Sequence, residues 1–152
     1  MHLSRSSLYD TFGDKRTLFL EALKFYSESV ISRVAQTLTE SSSALVGIQT
    51  LLDDLAAGVG KDAGAMGCFM VNSVAELVPY DSDVTKIAAA YSNSIQKLLA
   101  GKLQGTNPGK QSPEQLAAYV FNTMQGIRIL IKSGATKGQV QAICTMTLRN
   151  LQ

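Results

Sequence analysis

The chain predicts an all-α helical bundle. Apolar side chains recur at spacings of three and four along nearly its whole length, glycine-, proline- and serine-rich stretches cut that pattern into segments, and capping residues stand at the segment starts. With 152 residues, 45% apolar and 17% charged, it is ordinary globular material, long enough to bury about two-thirds of its unfolded surface around one core.

The first segment is a short helix over about residues 4–12. Ser4 suits its N-cap, Leu8 and Phe12 fall four apart on one face, and Gly13 suits the left-handed position that ends it. Asp14 caps the next helix, which carries Phe19, Leu23, Tyr26, Val30, Val34 and Leu38 inward and stops in the polar run 39–43. A second stripe, Leu45, Ile48, Leu52, Leu55 and Val59, runs into the glycines at 58, 60 and 64. An apolar helix from about Met66 to Val78 ends before Pro79, because the residue preceding proline resists helical geometry. A helix from about Ser82 to Leu103 follows, with Val84, Ile87, Tyr91, Ile95, Leu98 and Leu99 inward, ending at the Gly105-Thr106-Asn107-Pro108-Gly109 stop.

The last two helices have the clearest starts. Ser112-Pro113-Glu114-Gln115 combines an N-cap, a first-turn proline and a capping-box glutamine, and Thr136-Lys137-Gly138-Gln139 repeats the capping-box spacing. Both helices are apolar over a wide arc, which calls for cover on more than one side, and a second copy of the chain supplies that cover most simply.

The opening stretch also reads as the second half of a helix-turn-helix, in which a reading helix enters the major groove. Its exposed side offers Arg5, Ser6, Ser7, Tyr9 and Thr11 to phosphates or base edges, with Lys15 placed to reach a phosphate past the turn. The run Ser7-Leu8-Tyr9-Asp10-Thr11-Phe12-Gly13-Asp14-Lys15, followed by Leu18, Phe19, Ala22 and Leu23, resembles the recognition helix and following helix of TetR (tetracycline-repressor-like) transcription regulators. Ser6, often glycine in such motifs, and His2, where a small turn residue is expected, depart from the pattern.

The resemblance implies a helix-turn-helix remnant over 1–23 and a regulatory, ligand-binding and dimerisation domain over 24–152. The family's first two helices have no counterpart ahead of the reading helix, so truncation is expected and binding of double-stranded operator DNA is an expectation for the full-length form. The implied function is an effector-responsive transcriptional regulator, a repressor acting as a homodimer. The alternative is a ligand-binding dimerisation module without DNA binding of its own. The resemblance places the dimer contact in the last two helices, about 113–151, with Tyr119, Ile127, Ile131, Val140, Ile143, Cys144, Thr147 and Leu151 as its candidate residues.

Cys68 is expected in the first turn of its helix, where the macrodipole and free amides favour a thiolate. Asn72 and Glu76 follow at steps of four and share its face, one polar wall of an effector pocket. Gly67-Cys68 followed by apolar residues and Asn72 is similar to a family branch that responds to reactive electrophiles, which makes a small molecule or an electrophile the expected effector. Tyr91, Phe121, Asn122, Met124 and Arg128 are further pocket candidates. Against these stands the ordinary role of free cysteines and helical methionines as core filler, which already accounts for Cys144.

Other classes fit poorly. The formal net charge is only +2, less basic than a protein that holds DNA by bulk charge. His2 is the single histidine, no nucleophile has a base at its side, and Asp53-Asp54 and Asp81/Asp83 read as a solvated face and a helix cap, so neither catalysis nor a metal or cofactor is expected. No run of about 18 apolar residues offers a membrane span and no export signal opens the chain, so a cytoplasmic location is expected. In that reducing compartment Cys68 and Cys144 are expected as free thiols.

Overall fold

In a computed structural model that describes residues 13–106 and 111–152, those residues form seven helices: α1 Lys15–Glu40, α2 Ala44–Ala56, α3 Asp62–Met66, α4 Phe69–Leu77, α5 Ser82–Leu103, α6 Pro113–Lys132 and α7 Lys137–Arg149. No strand occurs among the described residues. The reading helix expected at 4–12, with Arg5, Ser6, Ser7, Tyr9 and Thr11, lies outside them.

The local signals hold where they are described. Gly13 has φ of 78° and Asp14 caps α1, its side chain accepting from the Thr17 amide at 2.7 Å. The capping boxes of Ser112 with Gln115 and Thr136 with Gln139 are both formed. The boundary expected between 23 and 24 falls inside α1, which runs through it without a break.

Two expectations change. The stripe ending at Val59 is helical only to Ala56, and Val59 packs half-buried from the turn beyond it. The helix expected from Met66 to Val78 starts only at Phe69 and ends at Leu77, because Gly67 takes φ of 76° and separates it from α3, which ends at Met66. Cys68 is consequently the N-cap of α4, in extended backbone and without a side-chain cap bond, one residue outside the first turn.

The core is built by α5, which packs most extensively on α6 and α1, with α2 and α7 closing the far side. Leu23, Ile48, Leu52, Val84, Ile95, Leu99, Val120, Ile127 and Val140 are buried there. Full burial of each such side chain stabilises the fold by about 1.5–3 kcal/mol before conformational entropy is counted. Both ends of α1 are tied to α5: Lys102 Nζ donates to the Ser41 carbonyl at 2.8 Å, and Arg16 Nη2 donates to Asp81 at 3.0 and 3.1 Å and to Asp83 at 2.9 Å.

The two aspartates lie below the ordinary carboxylate range. For Asp81 the leading cause is the Val84 amide it caps, and for Asp83 it is Arg16. The pairs are solvent-exposed, so they orient α1 more than they stabilise it. No helix among the described residues is long and apolar enough to cross a membrane, and none of their His, Cys, Asp and Glu side chains group as a metal site.

Candidate functional site

A cavity of about 300 Å³ opens between α1, α2 and α6, with the glycine-rich segment before α4 as its fourth side. Each helix presents one face to it: Tyr26, Val30, Arg33 and Val34 from α1, Leu51, Asp54 and Leu55 from α2, and Met124, Arg128 and Ile131 from α6. Gly58, Gly64, Gly67 and Cys68 complete the wall. The volume lies at the small end of the roughly 300–1,000 Å³ range of ligand sites, and the mostly apolar lining with a few polar groups is the usual composition of one.

The glycines are required by close approach. A Cβ on Gly64 would run into the Gly58 carbonyl oxygen, and one on Gly67 would come within 2.8 Å of the Lys132 side chain. Glycine at 64 therefore lets the α3 backbone close against the turn before it, and glycine at 67 supplies the left-handed φ of 76° that the wall needs there.

Cys68 is 6% exposed, and its Sγ lies 3.2 Å from the Tyr26 hydroxyl, a hydrogen bond in which either atom can donate. Burial, then the bond to Cys68, pushes the Tyr26 hydroxyl well above the ordinary phenol value. Tyr26 and Phe19 each meet Phe69 edge to face, at 5.7 and 5.5 Å between ring centroids, so the start of α4 is gripped by the N-terminal half of α1.

Of the residues expected in the pocket, Cys68, Met124 and Arg128 line the cavity. Asn72 does not; its amide donates to the Met66 carbonyl at 3.1 Å and its oxygen accepts from Lys132 Nζ at 2.7 Å, fastening α4 to the end of α6. Glu76 points to solvent, because the polar face of α4 turns outward two turns beyond Cys68. Tyr91 and Phe121 pair edge to face at 6.3 Å behind the lining, and Asn122 is exposed on the outer side of α6.

The lining residues missed by sequence reasoning are chiefly Arg33 and Asp54. Arg33 falls seven after Tyr26, a spacing that places both on one helix face, whereas Asp54 looked like part of a solvated pair.

Tyr91 is 2% exposed and its hydroxyl has no hydrogen-bond partner among the described residues. Burial is the leading cause that pushes this phenol up. Replacing Tyr91 by phenylalanine removes an unsatisfied buried group, so stability should stay level or rise by up to about 1–3 kcal/mol. Denaturant unfolding measures this, and a clear loss of stability would mean that the hydroxyl is partnered in solution.

The expected dimer residues are corrected by their burial. Ile127, Ile131, Val140, Cys144, Thr147 and Leu151 are at most 9% exposed within a single chain, because the faces of α6 and α7 that carry them pack on α2 and α5. Burial, then Asp53, raises the Cys144 thiol. Ile143 is half-buried, and Tyr119, 38% exposed, accepts from the Asn150 amide. The free side of the two helices shows Tyr119, Ile129 and Leu130 on α6 and Met146 on α7. Lys15 is exposed at the first position of α1, and Cys68 and Cys144 are both free thiols.

No protein-family model matches the chain. It is 28% identical over 145 residues, 91% of its length and 75% of the relative's, to an uncharacterized HTH-type transcriptional regulator, YezE, of Bacillus subtilis (strain 168). Two cysteine-substituted forms of the TetR family transcriptional regulator CifR, both complexed with 26-base-pair double-strand operator DNA, share its fold. Their TM-scores are 0.80 and 0.81 at 23% and 22% identity, over 97% of this chain and 80% and 79% of theirs.

Proposed function

The chain has the all-α fold of the TetR family regulators, and from that premise we propose that it works in the cytoplasm as an effector-responsive transcriptional repressor whose full-length form binds operator DNA as a homodimer. The observation that carries this reading is that α1 is shared between two jobs. Its N-terminus follows directly on the stretch that resembles a recognition helix, and its inner face walls the cavity through Tyr26, Val30, Arg33 and Val34.

A ligand in the cavity presses on that face. An electrophile that adds to Cys68 Sγ displaces the Tyr26 hydroxyl, carried by α1 itself, and the Phe69 ring, which packs on Phe19 and Tyr26 of α1. Either event tilts α1, and with two copies related by a twofold axis the separation of their reading ends then no longer matches half-sites one helical turn apart. The free side of α6 and α7, with Tyr119, Ile129, Leu130 and Met146, is the face that a second copy covers. Residues 1–23 belong to the reading end, with Arg5, Ser6, Ser7, Tyr9, Thr11 and Lys15 as its contacts. Residues 24–152 form the regulatory part.

The test is selection from a random DNA library, combined with sedimentation of the protein. A dimer that enriches a twofold-symmetric sequence, and that releases it when Cys68 is alkylated with N-ethylmaleimide, supports the reading. The Cys68→Ser variant should keep the DNA under the same treatment. A monomer, or binding without sequence enrichment, overturns it.

A further inference from the structure

We infer that the ligand of the cavity is a small organic anion, an apolar body carrying one carboxylate or similar group, held by Arg128 and Arg33. This rests on the cavity being the effector site. Three charged side chains line it: Arg33, Arg128 and Asp54. The ion pairs among the described residues join Arg16 to Asp81 and Asp83, Lys24 to Glu21 and Lys86 to Asp83, and none involves these three.

The balance of one excess positive charge is placed unevenly. Asp54 and Arg33 are exposed, whereas Arg128 is half-buried between Met124 and Ile131, one turn from each on the cavity face of α6. Its only hydrogen bond among the described residues is Nη1 to the Gln125 side chain at 3.2 Å, so the remaining donors of the guanidinium are free. A guanidinium on an apolar wall, with donors unused and no carboxylate beside it, is suited to the planar two-oxygen face of a carboxylate, and it does so more strongly there than in open water. Val30, Val34, Leu51, Leu55, Met124 and Ile131 offer apolar surface to the rest of the molecule.

Calorimetric titration of the chain with octanoate and with the isosteric neutral octanamide tests this, alongside the uncharged dye Nile red as a probe of the cavity itself. Octanoate should bind about ten- to a hundred-fold more tightly than octanamide. Arg128→Gln should erase that preference while leaving octanamide and Nile red binding unchanged, and Arg128→Lys should restore part of it. Asp54→Asn, a change at an exposed position, should tighten octanoate alone.

Equal affinity for the two octyl compounds, or Nile red binding with neither octyl compound bound, overturns the anion inference and leaves the cavity reading standing. Failure of all three probes overturns both.

Discussion

Truncating Ile127 to alanine should lower the unfolding free energy by about 2–5 kcal/mol, whereas the same change at Ile129, two residues on, should cost no more than about 0.5 kcal/mol within the single chain. Ile127 is fully buried and Ile129 is 55% exposed on the same helix. Removing buried methyl groups loses their transfer energy and leaves a cavity that rigid neighbours fill only in part. Removing exposed ones does neither. Urea unfolding over a range of protein concentrations separates the two roles. The Ile127→Ala loss should persist at every concentration, and the Ile129→Ala effect should appear only in the concentration dependence, where dimerisation contributes. An Ile127→Ala loss under about 1 kcal/mol would remove this residue from the core.

Gly64→Ala should be the most damaging single-methyl change near the cavity. The new Cβ would meet the Gly58 carbonyl oxygen, with the Gly58 carbonyl carbon at 2.9 Å and Ile131 Cγ2 at 3.0 Å. The nearest of these atoms is backbone, which cannot swing aside as the end of a flexible side chain can. The turn from 57 to 61 and α3 must therefore separate, at a cost of about 1–3 kcal/mol or more. Because Gly58, Gly64 and Ile131 all line the cavity, the same displacement should abolish Nile red binding. Gly101→Ala is the control: it sits in α5 with open space around it, and there alanine should stabilise by about 0.5–1 kcal/mol. Nile red binding retained by Gly64→Ala would mean that the wall is not formed by this glycine contact.

The proposed electrophile response and the proposed anion preference draw on two parts of one cavity lining, Cys68 beside Tyr26 and Arg128 between Met124 and Ile131.

The sequence alone determined the helices and most of their ends. Asp14 before α1, Ser112 and Gln115 before α6, and Thr136 and Gln139 before α7 act on amide groups within one turn, so their effect is written in adjacent residues. Local signals were weaker at Gly67, where an apolar run on either side concealed a break that one backbone angle makes. Which side of α6 and α7 faces inward was decided only by tertiary structure. Helices apolar around most of their circumference offer several faces of similar energy, and α5 and α2 selected the one carrying Ile127, Val140 and Cys144. The cavity is likewise a tertiary product. Arg33, Asp54, Cys68 and Arg128 share no spacing, and they line one cavity because three helices come together at a place where glycines let the backbone close the fourth side.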